Sequence, residues 1–337
     1  MKDPSRLLRY RDSIYAMDLL ICSIAYLDFF SFLKDNPQTF DEICAKLKIA
    51  SRPADVMLSL FLAMELIEKD GTSYKLTDIS HESLVNNSST SLVPYYASLK
   101  NRPQCKEFLD VLKTGKPAGW SSKKDGKSWL EAMRDNQFAD SFTTAMDSRG
   151  MFLAKKLVEK IDLSNYSSLL DIAGGSGVYA CEISRKYKNL NTTVLEITPV
   201  DKAAKRSIKA KRMSSRVSVI SANMFDEIPE GYDAHLFANV FHDWDIDSVR
   251  KLAENSFESL RSNGSIIIFD AHLNKEKNGP LSVAEYSCLI MHSTVGRCYS
   301  IKEIDDILQK AGFTEIKITE IAADKTIIIG NKKMREI

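Results

Sequence analysis

The spacing of apolar and polar positions divides the chain into a helical first half and a second half in which strands alternate with helices. The most apolar segment, "YAMDLLICSIAYLDFFSFL", is interrupted by Asp18 and Asp28. It predicts a helix buried on most sides, against a second subunit, rather than a membrane span. The next stretch, "TFDEICAKLKIASRPADVMLSLFLAMELIEKDGTSYKLTD", has the layout of a winged helix. A helix carries Ile43 and Leu47, a turn falls at "IASRP", and a second helix runs to Met64. A hairpin around Asp70 and Gly71 then makes the wing. Helical patches resume over 90–160, around the loop "KTGKPAGWSSKKDGKS". The last, "FADSFTTAMDSRGMFLAKKLVEKI", predicts a long amphipathic helix with Phe138, Phe142, Met146 and Met151 in its apolar set.

From about residue 166 the period changes. Strands are expected at "SSLLDIAG", "NTTVLEI", "VSVISAN", "YDAHLFANV" and "SIIIFDAH", with helices at "GVYACEISRKYK", "VDKAAKRSIKAKR" and "DSVRKLAENSFESLRSNG" between them. A helix over 301–311 and the strands "EIKITEI" and "KTIIIGNK" close the chain. This alternation predicts an α/β fold, a Rossmann-like doubly wound sheet. Too few residues separate the last two strands for a crossover, so the final strand pairs antiparallel. The expected domains are 1–85, a winged-helix dimerisation domain; 86–160, a helical linker and acceptor-pocket region; and 161–337, the cofactor-binding domain.

Composition narrows the partners. With 337 residues there is material for two or three packed units, and a net charge of +1 gives no broad pull toward nucleic acid or anionic membrane. No secretion signal is evident. Six cysteines without a CxxC pair suggest reduced thiols in a cytoplasmic protein. A winged helix also raises the question of a DNA-binding regulator. Its second helix, "ADVMLSLFLAM", carries no Lys or Arg and is apolar over nearly its whole length, whereas groove reading needs Arg, Lys, Asn or Gln.

In an open α/β sheet the ligand sits beyond the carboxyl ends of the strands, where strand order reverses. The first strand here ends in "LLDIAGGSG", and Gly174, Gly175 and Gly177 allow a tight turn and close approach of a ligand to the backbone. The run from Gly175 to Ala180 also satisfies GxGxxA, so a dinucleotide is a competing reading. Asp171 separates the two. A carboxylate there repels a pyrophosphate but suits the cationic amino-acid part of S-adenosylmethionine. Glu196, ending the second strand, suits the ribose diol. Asn223, Met224 and Phe225, ending the third, suit the adenine, although Asn223 also fits a cap.

"LLDIAGGSG", "ANMFDEIP", "NVFHDWD" and the "AGF" after the last helix resemble the class I methyltransferases, specifically the caffeate and acetylserotonin O-methyltransferase family. The resemblance covers nearly the whole chain and is most specific over 167–312. It implies a homodimer, S-adenosylmethionine as cofactor, and methyl transfer to small, often aromatic, acceptors. Matching positions make His242 the catalytic base and Asp270 its acidic flank, where the family usually has Glu. The segment "LIMHSTVGRCYS" matches the family's acceptor-pocket wall, which assigns Met291, His292 and Cys298 to the acceptor, with Met146 from the long helix. Cys298 stands where the family commonly has a second Glu.

The chemistry fits those residues. A phenol ionises near ~10, so at neutral pH it needs a base in contact, and His is the apt side chain. His242 lies just beyond the fourth strand, and Asp270 ends the fifth, ~4.8 Å away as a neighbour, where it can fix the imidazole tautomer. In the same stretch, Asp245 starts the next helix and Trp244 can close over the cofactor. One other reading uses the same residues: His242, Asp243 and His292 as a two-His, one-carboxylate metal set, resembling α-keto acid C-methyltransferases.

Overall fold

The computed structural model describes residues 2–118 and 132–333. These gather into two compact units, 9–118 with 273–300, and 2–8 with 132–272 and 301–333. The units do not follow the linear divisions expected at 85 and 160. Residues 273–300 leave the sheet to join the N-terminal unit, while the long helix before 160 belongs with the sheet.

The first elements are α1 (Ser5–Asp12), α2 (Ala16–Ala25), α3 (Phe29–Leu33), β1 (Gln38–Thr39), α4 (Phe40–Leu47) and α5 (Ser51–Ala63). The hairpin β2 (Ile67–Asp70) and β3 (Ser73–Leu76) follows, then α6 (Asp78–Ser83), α7 (Val93–Ala97) and α8 (Pro103–Thr114). The apolar segment expected as one helix is two, α2 and α3, because Asp28 takes a left-handed φ of +48° between them. Leu19, Ile21, Phe29, Phe30 and Leu33 are buried within the single chain, not left for another subunit. A capping box starts α4: the Glu42 carboxylate accepts from the Thr39 amide at 2.8 Å, and Thr39 Oγ1 accepts from the Glu42 amide at 3.4 Å. The small sheet has the order β1-β3-β2, its hairpin turning at Gly71 with φ +61°. Helix α5, the expected groove-facing helix of a DNA reader, buries Val56, Met57, Leu60 and Phe61 in this core.

The sheet unit opens with α9 (Asn136–Lys160), β4 (Ser168–Ile172), α10 (Val178–Lys186), β5 (Asn191–Glu196), α11 (Val200–Ala210), β6 (Val217–Ser221) and β7 (Tyr232–Ala238). Then come α12 (Ile246–Ser259), β8 (Leu260–Ala271), α13 (Leu281–Ser293), α14 (Ile301–Ala311), β9 (Thr314–Ile321) and β10 (Lys325–Asn331). Among the described residues the sheet has seven strands in the order β6-β5-β4-β7-β8-β10-β9. The pairs β6/β5, β5/β4, β4/β7 and β7/β8 are parallel, and β10 runs antiparallel to both β8 and β9. The last strand therefore inserts inside the sheet, leaving β9 at the edge. Burial explains the choice: residues 325–328 of β10 are all buried, whereas β9 is mostly exposed. Helix α12 stops at Ser259, short of the expected end, because Leu260 already pairs with Tyr232 of β7. The apolar face of α9 is Ala139, Phe152, Leu153, Ala154 and Leu157; Met151, expected on it, is 50% exposed.

Helix α13, not foreseen as a separate element, lies against α5. One side chain ties its end down. Arg52 Nη1 donates to the carbonyls of Met291, Thr294 and Gly296 at 3.1, 3.2 and 2.8 Å, and Nη2 to that of Gly115 at 2.9 Å. A guanidinium fork can satisfy four carbonyls where an ammonium cannot. Among the described residues no helix is long and apolar enough to cross a membrane. Arg52→Met is expected to cost about 2–3 kcal/mol in denaturant unfolding, and Arg52→Lys to recover less than half of it. A midpoint unmoved by Arg52→Met would show that the fork is dispensable.

Candidate active site

The strand ends of the sheet unit collect most of the expected residues. Strand β4 delivers Asp171 to a turn in which Ala173, Gly175 and Gly177 take φ of +54°, +57° and +73°. Gly177 also caps α10. A Cβ at Gly174 would lie 2.7 Å from Asp171 Cγ and Oδ2, so glycine there is a packing requirement. The space around the would-be Cβ of Gly175 is open. Glu196, at the end of β5, reaches across to the turn: Oε1 accepts from the Gly175 amide and Oε2 from its neighbour Ile197, each at 2.9 Å.

Asp171 is wholly buried, and neither carboxylate oxygen has a hydrogen-bond partner. Burial pushes its pKa up to about 7, the nearby Glu196 adding to the rise and the Ala180 amide opposing it. Burial likewise raises Glu196 to about 7 against its two amide donors. A carboxyl of this kind, lacking donors beside an open glycine turn, fits a ligand that brings N–H and O–H groups. S-adenosylmethionine has both, in its ammonium and its ribose diol.

At the third strand end Asn223 is a turn residue: its Oδ1 accepts from the Phe225 amide at 3.1 Å. No helix starts there, so the oxygen closes a local turn instead of capping a helix. Met224 is buried, and the Phe225 and Trp244 rings meet edge to face, centroids 4.6 Å apart at 74°. This contact joins the loops after β6 and β7.

His242 sits in a single 3-10 turn, Phe241–Asp243, directly after β7. Its ring is buried, and Nδ1 hydrogen-bonds to Asp270 Oδ1. The same oxygen accepts from the Ala271 amide at 2.7 Å, and Oδ2 from the His242 amide at 3.4 Å. With Nδ1 donating to Asp270, the tautomer leaves Nε2 as an acceptor, 3.6 Å from Asp243 Oδ1. Asp245 Oδ1 caps α12 by accepting from the Ser248 amide at 2.9 Å. The stretch "NVFHDWD" thus holds a base-type histidine and a helix cap together. Burial pushes Asp270 up, but His242 and Lys325 outweigh it and hold the carboxyl well below its usual range. His272, buried nearby, is pushed down to about 4 and is therefore neutral, with no partner for Nδ1.

Sequence reading missed three members of this site. Lys325, at the start of β10, is 3% exposed and its Nζ lies 3.8 Å from Asp270 Oδ1. It donates to Asn239 Oδ1 at 2.8 Å, and Asn239 Nδ2 donates to the Tyr179 hydroxyl at 2.9 Å. A lone Lys opening an apolar strand carries no signal of burial until the register against β8 is known.

The acceptor candidates fall on both units. Met146 is half-buried on α9 in the sheet unit. In the N-terminal unit, Met291 is fully buried and Cys298 is 1% exposed, its amide donating to Ser287 Oγ at 3.1 Å. His292 Nε2 pairs with Glu107 at 2.7 Å, and its ring packs on Tyr15 and Phe108 with centroids 4.4 and 5.1 Å away. The metal set His242, Asp243 and His292 is not assembled: among the described residues no group of three or more His, Cys, Asp or Glu could hold a metal ion. Each histidine has its own partner within its unit: Nδ1 of His242 bonds Asp270, and Nε2 of His292 bonds Glu107. None of the six cysteines forms a disulfide.

Comparison with known proteins bears on this geometry. A family model of the O-methyltransferase domain matches residues 106–314, more than half of the chain. A 3-hydroxy-5-methyl-1-naphthoate 3-O-methyltransferase of Streptomyces sahachiroi is 27% identical over 292 residues, 86% of this chain and 82% of that protein. An O-methyltransferase family 2 protein from Planctomyces limnophilus, solved with apigenin, superposes with a TM-score of 0.87 at 24% identity, covering 98% of this chain and 96% of that one. Human N-acetylserotonin methyltransferase, solved with SAM, has a TM-score of 0.62 at 21% identity and covers 99% of each. At these identities the two structures establish a shared fold.

The two raised carboxyls give a pH dependence of known sign. Their folded values of about 7 lie above unfolded values of about 4. Their contribution to stability is thus full below about pH 4 and lost as pH rises through about 7. A cationic, diol-bearing ligand favours the ionised forms. S-adenosylmethionine affinity and its thermal stabilisation of the protein should therefore grow from about pH 6 to about pH 8. Glu196→Gln should weaken binding roughly tenfold and flatten that trend in calorimetry; equal affinity would remove Glu196 from the site.

Proposed function

The chain belongs to the O-methyltransferase domain family and is an S-adenosylmethionine-dependent methyltransferase; from that premise we propose that it methylates a hydroxyl of a small aromatic acceptor, with His242 as the base. The observation that carries this reading is the His242–Asp270 hydrogen bond at the same sheet edge as the glycine turn. The name of the Streptomyces sahachiroi relative, a hydroxynaphthoate 3-O-methyltransferase, supports a hydroxyl on an aromatic ring as the acceptor class.

The residues present fit the cofactor. Asp171 and the turn of Gly174, Gly175 and Gly177 would hold its amino-acid part, and Glu196 its ribose hydroxyls. Met224, Phe225 and Trp244 would wall the adenine, beside the turn that Asn223 closes. Bound there, the cofactor supplies a methyl group already activated by its sulfonium. Asp270 holds the imidazole so that Nε2 accepts the acceptor's hydroxyl proton. It then stabilises the resulting imidazolium. Met146 on the sheet unit, and Met291, His292 and Cys298 on the N-terminal unit, are the residues proposed to contact the acceptor.

The N-terminal unit supports a homodimer. A hairpin follows α4 and α5, the order expected of a winged helix, and the apolar Tyr10 in α1, Ile14 in the turn after it and Met17 in α2 are 65%, 52% and 47% exposed. A second copy of the chain is the proposed cover.

Incubation with hydroxylated naphthoates and flavonoids, followed by NMR of the product, tests the reading. A methyl ether is expected; a methyl on ring carbon would replace O-methylation with C-methylation. His242→Ala should lower kcat about 10³-fold with cofactor affinity unchanged. Full turnover in that variant would end the base assignment.

A further inference from the structure

We propose that Lys325 is the positioning residue of the base, a buried cation that holds Asp270 in place as a carboxylate while His242 is neutral. The proposal rests on the reading of His242 as base. Lysine is among the residues least often buried, and its ammonium loses much hydration when it is. Here it is 3% exposed, on an inner strand, opposite Ala271 of β8. Its head is aimed by Asn239, which accepts from Nζ at 2.8 Å and is itself fixed by the Tyr179 hydroxyl. Asn239 adopts a left-handed φ of +57°, its amide donating to the Phe269 carbonyl at 2.8 Å. A strained residue and a tyrosine from the helix after the glycine turn thus both serve to point one ammonium at Asp270.

The charge balance gives the reason. A base must be neutral before it takes a proton, and with neutral His242 the buried Asp270 carries an uncompensated negative charge. Lys325, 3.8 Å from Asp270 Oδ1, supplies the balance. Without it, the imidazole–carboxylate pair would neutralise itself by binding a proton, which would reside on His242 and disable it. The other charged or titratable groups around the imidazole are Asp243 on its own turn, His272 after β8, Tyr179 on α10 and Arg149 on α9, which acts on Asp243. His272 is neutral and Arg149 acts on Asp243 rather than on Asp270, so Lys325 is the group whose removal changes the balance at Asp270 most directly.

Three variants, Lys325→Met, Lys325→Arg and His242→Ala, are to be compared by kcat/KM against pH and by calorimetric binding of S-adenosylmethionine. Lys325→Met should lower kcat roughly 10- to 100-fold at neutral pH and move the acid limb upward by about one pH unit, with activity recovering at higher pH. Cofactor affinity should stay within about twofold, because the change acts on the base and not on the glycine turn. Lys325→Arg should keep the wild-type limb. An acid limb at the wild-type position in Lys325→Met, or an arginine variant shifted like the methionine one, overturns the proposal. If the methionine variant does not fold, Lys325→Gln, which can still bond Asn239, is read in the same way. Full turnover in His242→Ala would instead remove the base reading on which the proposal stands.

Discussion

A carboxylate taken out of water must find donors or a cation, and three buried carboxylates at one edge of the parallel sheet meet that demand in three ways. Asp270 is satisfied by His242, the Ala271 amide and Lys325, and is held ionised. Glu196 is half satisfied, by two amides, and is raised to about 7. Neither oxygen of Asp171 has a partner at full hydrogen-bonding geometry, only the weaker pull of the Ala180 amide, and it is raised as far. Satisfaction thus falls from the proposed base toward the proposed cofactor cradle, where a ligand would complete it.

The strand order makes this gradient possible. Because β4, β5, β7 and β8 run parallel, their last residues all arrive at the same edge, and neighbouring ends lie close enough to interact. Glycine then decides what fits between them. A side chain at Gly174 would displace Asp171, and left-handed conformations at Gly175 and Gly177 bend the chain from strand into helix. The antiparallel β10 adds the one thing parallel strand ends do not supply here, a lysine entering from the opposite direction beside Asp270.

The N-terminal unit is organised by a similar demand on backbone carbonyls. The chain leaves α13 with several carbonyls unpaired, and Arg52 gathers three of them with that of Gly115. Through this fork a segment distant in sequence becomes part of the N-terminal unit, and His292 comes to rest on Tyr15, Phe108 and Glu107.

The sequence by itself determined the alternation of strand and helix, the glycine turn after β4, the acidic end of β5, and the pairing of His242 with Asp270. Each follows from local information: a period of 2 or 3.6, a positive-φ requirement, or residues that close adjacent parallel strands. It also placed the β2–β3 hairpin at Asp70–Gly71 and the helix start at Asp245. Only the tertiary structure decided what depends on register and long-range packing. Asp28 broke the apolar helix, Met151 turned outward, and residues 273–300 changed units. Asn223 spent its oxygen on a local turn, and among the described residues no His, Cys, Asp or Glu group gathers as a metal set. Lys325 shows the physical reason most directly. A lysine at the head of an apolar strand reads as solvent-exposed, and nothing local reveals that the strand slots between β8 and β9, because strand insertion is chosen by the burial of the whole sheet.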